Sequence, residues 1–432
     1  MRDMKMNDDF KDTEIGKIPK EWEIKKLEDC LCVLKNGLNN KQNKQMLGLP
    51  ITRIETISTG KINSIKVGFV EGLSEEEINK YKLIKGDILF SNINSEPYLG
   101  NSAIYTGKPK ILLHGMNLLL FRTNKNIFYL FLYYLLNFYR KKKIFIAISS
   151  RAVNQASINQ GKIKNLIILL PPLEEQKRIA YVLSKIQNAI DIQAQLIKLL
   201  QELKKSMMHK LFIEGIGHIE FKDTEIGRIP KEWEIKALKD IGNIITGKTP
   251  SKSNSRYWLN GKIEFIKPPN LNNNIITTYS EMISDSAKNK ASIVPKNSIL
   301  VSCIGIIGRL GYANKEIAFN QQINGLVLNN KIAYYLFIFY ILQYERKQYE
   351  ILASKTTVPI INKSKFSMIS IPLPPLEEQK RIAYILSTID DKISIETKKK
   401  NSFEKLFKTM LNKLMSGQIR TKNIDVVQND IR

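Results

Sequence analysis

Residues 242–249 read GNIITGKT and match the phosphate-loop pattern G-x-x-x-x-G-K-[ST], with Gly242, Gly247, Lys248 and Thr249 on the required positions. The chemistry that pattern serves is a cradle of backbone amides around a nucleotide phosphate, fed by a buried strand and continued by a helix. The surrounding text argues against it. ALKDIGNIIT (237–246) reads as an amphipathic helix with Leu238, Ile241 and Ile245 on one face, where a strand is required. Pro250 and SKSNS then give a polar loop where a helix is required. No apolar run ending in Asp follows to hold magnesium.

Other chemistry fares no better. His114, His209 and His218 have no metal-ligand spacing, and KPPN (267–270) lacks the acidic or amide residue before it and the aromatic after it that an adenine methyltransferase motif carries. No Ser or Cys nucleophile has a placed histidine. The sequence therefore assigns no catalytic residue, no metal site and no cofactor to this chain. Cys30, Cys32 and Cys303 form no disulfide framework, which fits a reducing, cytoplasmic setting. The N-terminus, MRDMKMNDDF, has no apolar core of a secretory signal. Two apolar runs, IFYLFLYYLLNFY (127–139) and IAYYLFIFYIL (332–342), fall short of the roughly 20 residues a membrane span needs and read as buried aromatic helices.

What the chain does carry is a duplication. FKDTEIGKIPKEWEIKKLED (10–29) returns as FKDTEIGRIPKEWEIKALKD (221–240), and PPLEEQKRIAY (171–181) returns unchanged at 374–384. The segments between have diverged, although KGDILFSN (85–92) echoes PKNSILVS (295–302). The position of the GKT glycine is taken in the first copy by LKNGLNN, which lacks the lysine–threonine pair. The net charge of +26 sits mainly in the divergent segments: residues 31–170 hold 20 Lys and Arg against 7 Asp and Glu, and residues 241–373 hold 16 against 6. A genome-wide lysine bias would charge all segments alike, so this distribution points to a polyanionic partner, nucleic acid.

Each PPLEEQ opens a long helical pattern, the diproline standing just ahead of the first turn and Glu174, Glu175, Glu377 and Glu378 near its positive dipole end. Heptad seams follow. The first runs Ile179, Leu183, Ile186, Ile190, Ile197, Leu200, Met207, Leu211, and the second Ile382, Leu386, Ile389, Ile393, Phe403, Phe407, Met410, Leu414. Seams this narrow suit a helical partner, and an antiparallel pairing of the two helices would hold the modules apart at a fixed spacing.

These signatures, PLPPLEEQKRIAYILSTID (372–390) with its first-copy partner and the two IPKEWEIK openings, resemble those of specificity subunits of type I restriction–modification systems over essentially the whole chain. The resemblance implies an α/β (α+β) protein: two tandem target-recognition domains separated by two long helices in an antiparallel coiled coil, with a pseudo-twofold internal repeat. The boundaries it implies are a first recognition domain at 1–170, a spacer helix at 171–215, a second domain at 216–373, a second spacer at 374–420 and a tail at 421–432. It implies a non-catalytic subunit that binds double-stranded DNA, each domain reading one half of an asymmetric bipartite target, with no membrane role. Two adenine-N6 methyltransferase subunits and, in the full complex, restriction subunits would be its partners. S-adenosylmethionine, ATP and magnesium would be bound by those partners. The contrasting reading is a coiled-coil scaffold whose basic modules bind RNA or DNA without sequence preference.

Base edges are read by Arg, Lys, Asn and Gln, with basic side chains on phosphates. In the second module the candidates are the loop Ser251, Lys252, Asn254, Arg256 and Tyr257, then Lys267, Asn270 and Asn272, then Asn320, Gln321 and Gln322. In the first they are Lys41, Asn43, Lys44, Arg53, Lys141, Lys142, Arg151, Asn154 and Gln155. Trp22 and Trp233, in near-identical text, read as core anchors of the scaffold; a contact with the methyltransferase partner is the alternative.

Overall fold

The computed structural model describes residues 10–424 apart from residues 15, 44, 355–357 and 423. Four helices organise it: α1 (Tyr129–Lys141), α2 (Leu173–Ile213), α3 (Tyr335–Tyr344) and α4 (Leu376–Met415). Both aromatic runs are thus buried helices, and among the described residues no helix is long and apolar enough to cross a membrane. The chain forms two compact units. The first takes the residues up to Gln193 together with those from Lys399 onward, and the second takes Ala194–Lys398.

In the first unit an antiparallel sheet is built from β1 (Leu31–Asn36), β2 (Ile88–Phe90), β3 (Ser102–Ile104) and β4 (Leu119–Thr123), in the order β1-β4-β2-β3. One face of this sheet packs on α1 through Phe90, Phe121 and Phe131, and the same core takes in Ile179 and Leu183 of α2 and Leu411 and Leu414 of α4. The second unit repeats the plan with β5 (Gly242–Thr246), β6 (Ile299–Ser302), β7 (Leu310–Tyr312) and β8 (Ile323–Leu328), ordered β5-β8-β6-β7 before a short added edge at Asn274–Ile275. Its core joins Ile299, Leu326 and Phe337 to Leu211 and Phe212 of α2 and to Ile382 and Leu386 of α4. The echo between KGDILFSN and PKNSILVS is the equivalence of β2 and β6.

The first unit therefore holds the start of α2 against the end of α4, and the second holds the end of α2 against the start of α4, so the helices run antiparallel. None of the sixteen apolar seam residues is exposed, whereas Ile192, Leu199, Leu203, Ile395 and Leu406, which lie off the seam, are. Off the seam, Met208, Phe212, Leu411 and Met415 are also buried, in the cores of the modules, so the buried face is broader than the heptad alone. The division between the two compact units falls within both helices, at Gln193/Ala194 in α2 and Lys398/Lys399 in α4.

The duplicated signatures are the joints that fix each module to its helix. Trp22 is wholly buried and donates its indole N–H to Glu175 Oε2 at 3.0 Å; Trp233, equally buried, donates to Glu378 Oε2 at 3.0 Å. Beside each glutamate, an amide clamps the entry to the aromatic helix. Gln176 accepts from Phe128 N at 2.8 Å and donates to the carbonyls of Asn126 and Pro171, while Gln379 accepts from Tyr334 N at 2.8 Å and donates to those of Ile332 and Pro374. Only the first glutamate of each pair behaves as a surface helix-start acid: Glu174 pairs with Lys177 and Glu377 with Lys380. All four glutamates lie in the first turn of their helix, as expected, but Glu175 and Glu378 have a second role. Glu175, buried, and Glu378, half-buried, accept from the tryptophans, which are wholly buried anchors within each module with no indole edge left for a partner.

The stretch 237–246 is also corrected. Only Leu238–Ile241 makes a helical turn, and Gly242–Thr246 is the strand β5, paired along its length with β8. β-Branched Ile244, Ile245 and Thr246 favour a pleated, half-buried surface over a continued helix.

Candidate nucleic-acid interface

A strand does precede GKT, so the phosphate-loop question passes to the glycine. Gly247 N donates to Ile323 O at 2.9 Å and Lys248 N to Phe319 O at 3.1 Å, which commits both amides to carbonyls of the protein. A Cβ on Gly247 would collide with the carbonyl of Asn320. Gly37, the first-copy counterpart, is pressed in the same way against the carbonyl of His114. The glycine is kept for close backbone approach at the end of a strand, no helix follows it, and no amide cradle exists. Among the described residues there is also no group of His, Cys, Asp and Glu that could hold a metal.

From β5 the chain enters the polar loop 247–258, and here the second module gathers its candidates. Thr249 Oγ1 donates to Gln321 Oε1 at 2.6 Å, joining this loop to the 320–322 turn. Lys252 lies over the ring of Trp258, 3.3 Å from its centroid, and Trp258 stacks edge-on against Phe265 at 5.3 Å. Its indole N–H donates to Ser251 O, which fixes the loop. The Lys252 ammonium reaches Glu281 Oε2 at 2.6 Å, and Lys267 reaches the same oxygen at 3.3 Å. The hydrogen bond from Lys252, with that from Lys267 behind it, holds the Glu281 carboxyl below the ordinary carboxylate range.

Other candidates in this module have settled roles or open ones. Asn270 Oδ1 accepts from Lys267 N and from Ser280 Oγ, so its carbonyl shapes the loop. Asn254 accepts from Arg256 N at 3.2 Å. Asn320 is buried, and its amide is taken by Gln322. Arg256, Asn272 and Gln321 are exposed and Tyr257 is half-buried. Loops 247–258, 267–281 and 320–322 thus form one connected polar surface.

The first module divides its candidates between two places. Lys41 and Asn43 lie on one loop, where Asn43 bridges to Phe69 and accepts from Leu47 N. Arg53 reaches Glu55 at 3.6 Å and lines a shallow cavity of about 400 Å³ with Met46, Ile65 and Lys66. The second place is the exposed hairpin of Ser150–Ala152 and Gln155–Ser157, whose turn holds Val153 at 92% exposure and Asn154 in the left-handed region. There Arg151 pairs with Glu96 at 2.9 Å and Gln155 is exposed. Lys141 and Lys142 end α1, Lys141 lying over the ring of Phe407 and Lys142 over that of Phe138. Lys44 lies outside the described residues.

Glu281, Trp258 and Thr249 were missed from sequence. Glu281 had a signal, being one of only six acids in a basic module; the tryptophan's part became visible only when the strand brought Phe265 beneath it.

Comparison with known proteins places this architecture. The profile of the type I restriction modification DNA specificity domain matches twice, over residues 19–202 and 230–405. The chain is 44% identical over 427 residues to the type I restriction enzyme MjaX specificity subunit of Methanocaldococcus jannaschii, covering 96% of this chain and 97% of that one. It is 29% identical to the MjaVIII specificity subunit of the same organism, covering 97% of each. The crystal structure of a type I restriction–modification S subunit from M. genitalium shares the fold at a TM-score of 0.62 and 17% identity, covering 95% of this chain and 98% of that one.

Proposed function

This chain belongs to the type I restriction–modification DNA specificity family, and from that premise we propose how it works as the specificity subunit. Each α/β module reads one half of an asymmetric, gapped duplex sequence. The antiparallel helices set the gap and dock two adenine-N6 methyltransferase subunits, which bring S-adenosylmethionine. Restriction subunits bring ATP and magnesium. The chain itself performs recognition, in the cytoplasm.

The observation that carries this reading is the contrast within the duplication. The joints are the same in both units, down to the Trp–Glu bond and the Gln clamp, while the loops 247–258 and 267–281 have no residue-by-residue counterpart in the first module. Conserving the joint and varying the loop is what two different half-sites on one frame require. The excess of Lys and Arg in the modules supplies the phosphate attraction that such reading needs.

The test is selection from a randomised duplex library by the chain co-purified with its methyltransferase partner, with sequencing of retained and methylated DNA. Two short fixed blocks at constant separation, each bearing N6-methyladenine, support the reading. Retention without any motif, collapsing uniformly with salt, would identify the non-specific scaffold instead.

A further inference from the structure

We infer that Glu281 is a base-reading residue of the second module, one that selects a cytosine in its half-site. The inference rests on the DNA-specificity reading above. It starts from a carboxylate in the wrong electrostatic company. Residues 241–373 are strongly basic, and of the acids there Glu264 pairs with Lys315, while Asp285, whose neighbours Ser284 and Ser286 donate to Arg256 O of the 247–258 loop, pairs with Lys262 and Lys288. Glu281 takes a lysine from each of two reading loops, Lys252 of 247–258 and Lys267 of 267–281. A phosphate-binding surface loses affinity from a carboxylate, because like charges brought together on association are costly.

Its setting shows a side chain held in place. Glu281 opens the strand Glu281–Ile283, directly opposite Phe265 on the neighbouring strand, and Phe265 supports Trp258, over which Lys252 lies. Lys252 and Lys267 both reach one oxygen, Oε2, and among the described residues no hydrogen bond to the other oxygen, Oε1, is formed. Side-chain exposure of 35% leaves the group accessible from solvent. Two lysines that neutralise the carboxylate also offset its repulsion from phosphates, and fix the free oxygen at the surface. A carboxylate accepts from the exocyclic amino group of cytosine in the major groove and has no donor to offer guanine or thymine. A glutamine at the same place would instead pair with adenine through both its donor and its acceptor.

The experiment compares wild type with Glu281→Gln, each co-purified with the methyltransferase partner, by selection from the randomised duplex library. The expected result is a cytosine at one position of one half-site in the wild type. In the variant, preference for that cytosine falls roughly tenfold or more and moves toward adenine, with the other positions of that block unchanged. The half-site read by the first module is the internal control for folding and assembly, since both proteins should retain it. An even weakening of every position in the affected block would overturn the inference, by showing that the Lys–Glu–Lys contact only braces the loops. An unchanged motif, or a wild-type motif with no cytosine in that block, would overturn it as well. If the wild type yields no gapped motif, it is the specificity reading that fails, a separate result from a clear motif that the substitution leaves intact.

Discussion

Trp22 and Glu175 are 153 positions apart in the chain and meet through one buried hydrogen bond of 3.0 Å. The same carboxylate takes Nε and Nη2 of Arg420, at 2.8 and 2.9 Å, so the segment after α4 is tied to the start of α2. Arg420 also reaches Glu21, which keeps that exposed carboxyl below its ordinary range. In the second unit Glu378 is served by Trp233, by Ile216 N and by His218 at 2.9 Å. One acceptor, one indole and one nitrogenous side chain recur, although the last is arginine in one unit and histidine in the other.

Glu175→Ala leaves an indole N–H and a guanidinium without their shared acceptor. Breaking a buried pair of this kind costs roughly 3–5 kcal/mol, so the first unit should unfold at distinctly lower denaturant. Glu174→Ala, one residue away but exposed, should shift the midpoint within about 0.5 kcal/mol. Equilibrium denaturation followed by tryptophan fluorescence reads both.

His114 gives a pH dependence. It is fully buried, its Nε2–H donates to Leu118 O at 3.0 Å, and Nδ1 has no hydrogen-bond partner among the described residues. Burial lowers its pKa from the usual 6.5 to about 4. The folded pKa lies below the unfolded one, so the unfolded chain takes up protons first as pH falls. The stabilisation is complete above about pH 6.5, declines between there and about pH 4, and amounts to roughly 3 kcal/mol. His114→Gln should flatten that part of the stability–pH curve of the first unit.

Lys204 occupies a seam position yet is charged. It reaches Asp390 at 2.8 Å, lies over the ring of Tyr340, and Tyr340 donates to the same aspartate at 2.8 Å. Lys204→Met should destabilise the second unit by about 3 kcal/mol, because Asp390 is left half-buried and short of a partner. Adding Asp390→Leu should recover much of the loss. A double-mutant cycle by denaturation measures the coupling.

Arg256 is exposed on the reading loop and its guanidinium makes no ion pair among the described residues. If it meets a phosphate, Arg256→Ala should weaken binding to all sequences alike and reduce the salt slope of log K by about one. Titration of fluorescent duplex at several salt concentrations checks this.

Much of the frame was legible because it rests on periodicity and repetition. The heptad named sixteen helix residues none of which is exposed, though not Phe212 or Leu411, which the module cores bury, and Trp22 and Trp233 announced a core by recurring in fixed text. The reading surface was less legible. Whether Asn270 or Asn320 faces a base or shapes its own loop depends on hydrogen bonds between segments far apart in the chain. The strand at Gly242–Thr246 was masked by Leu238, Ile241 and Ile245, which fit a helical spacing although Ile245 owes its place to sheet pairing.

The central claim is that the helical pair sets the gap between two half-sites. Its most direct test inserts one heptad into α2 between Gln193 and Leu200 and another into α4 between Ile393 and Phe403, preserving the seam. Seven residues add about 10 Å of helix, close to three base pairs at about 3.4 Å each. Selection and methylation mapping should return the same two blocks with the gap lengthened by about three. An unchanged gap, with both blocks still recognised, would contradict the account.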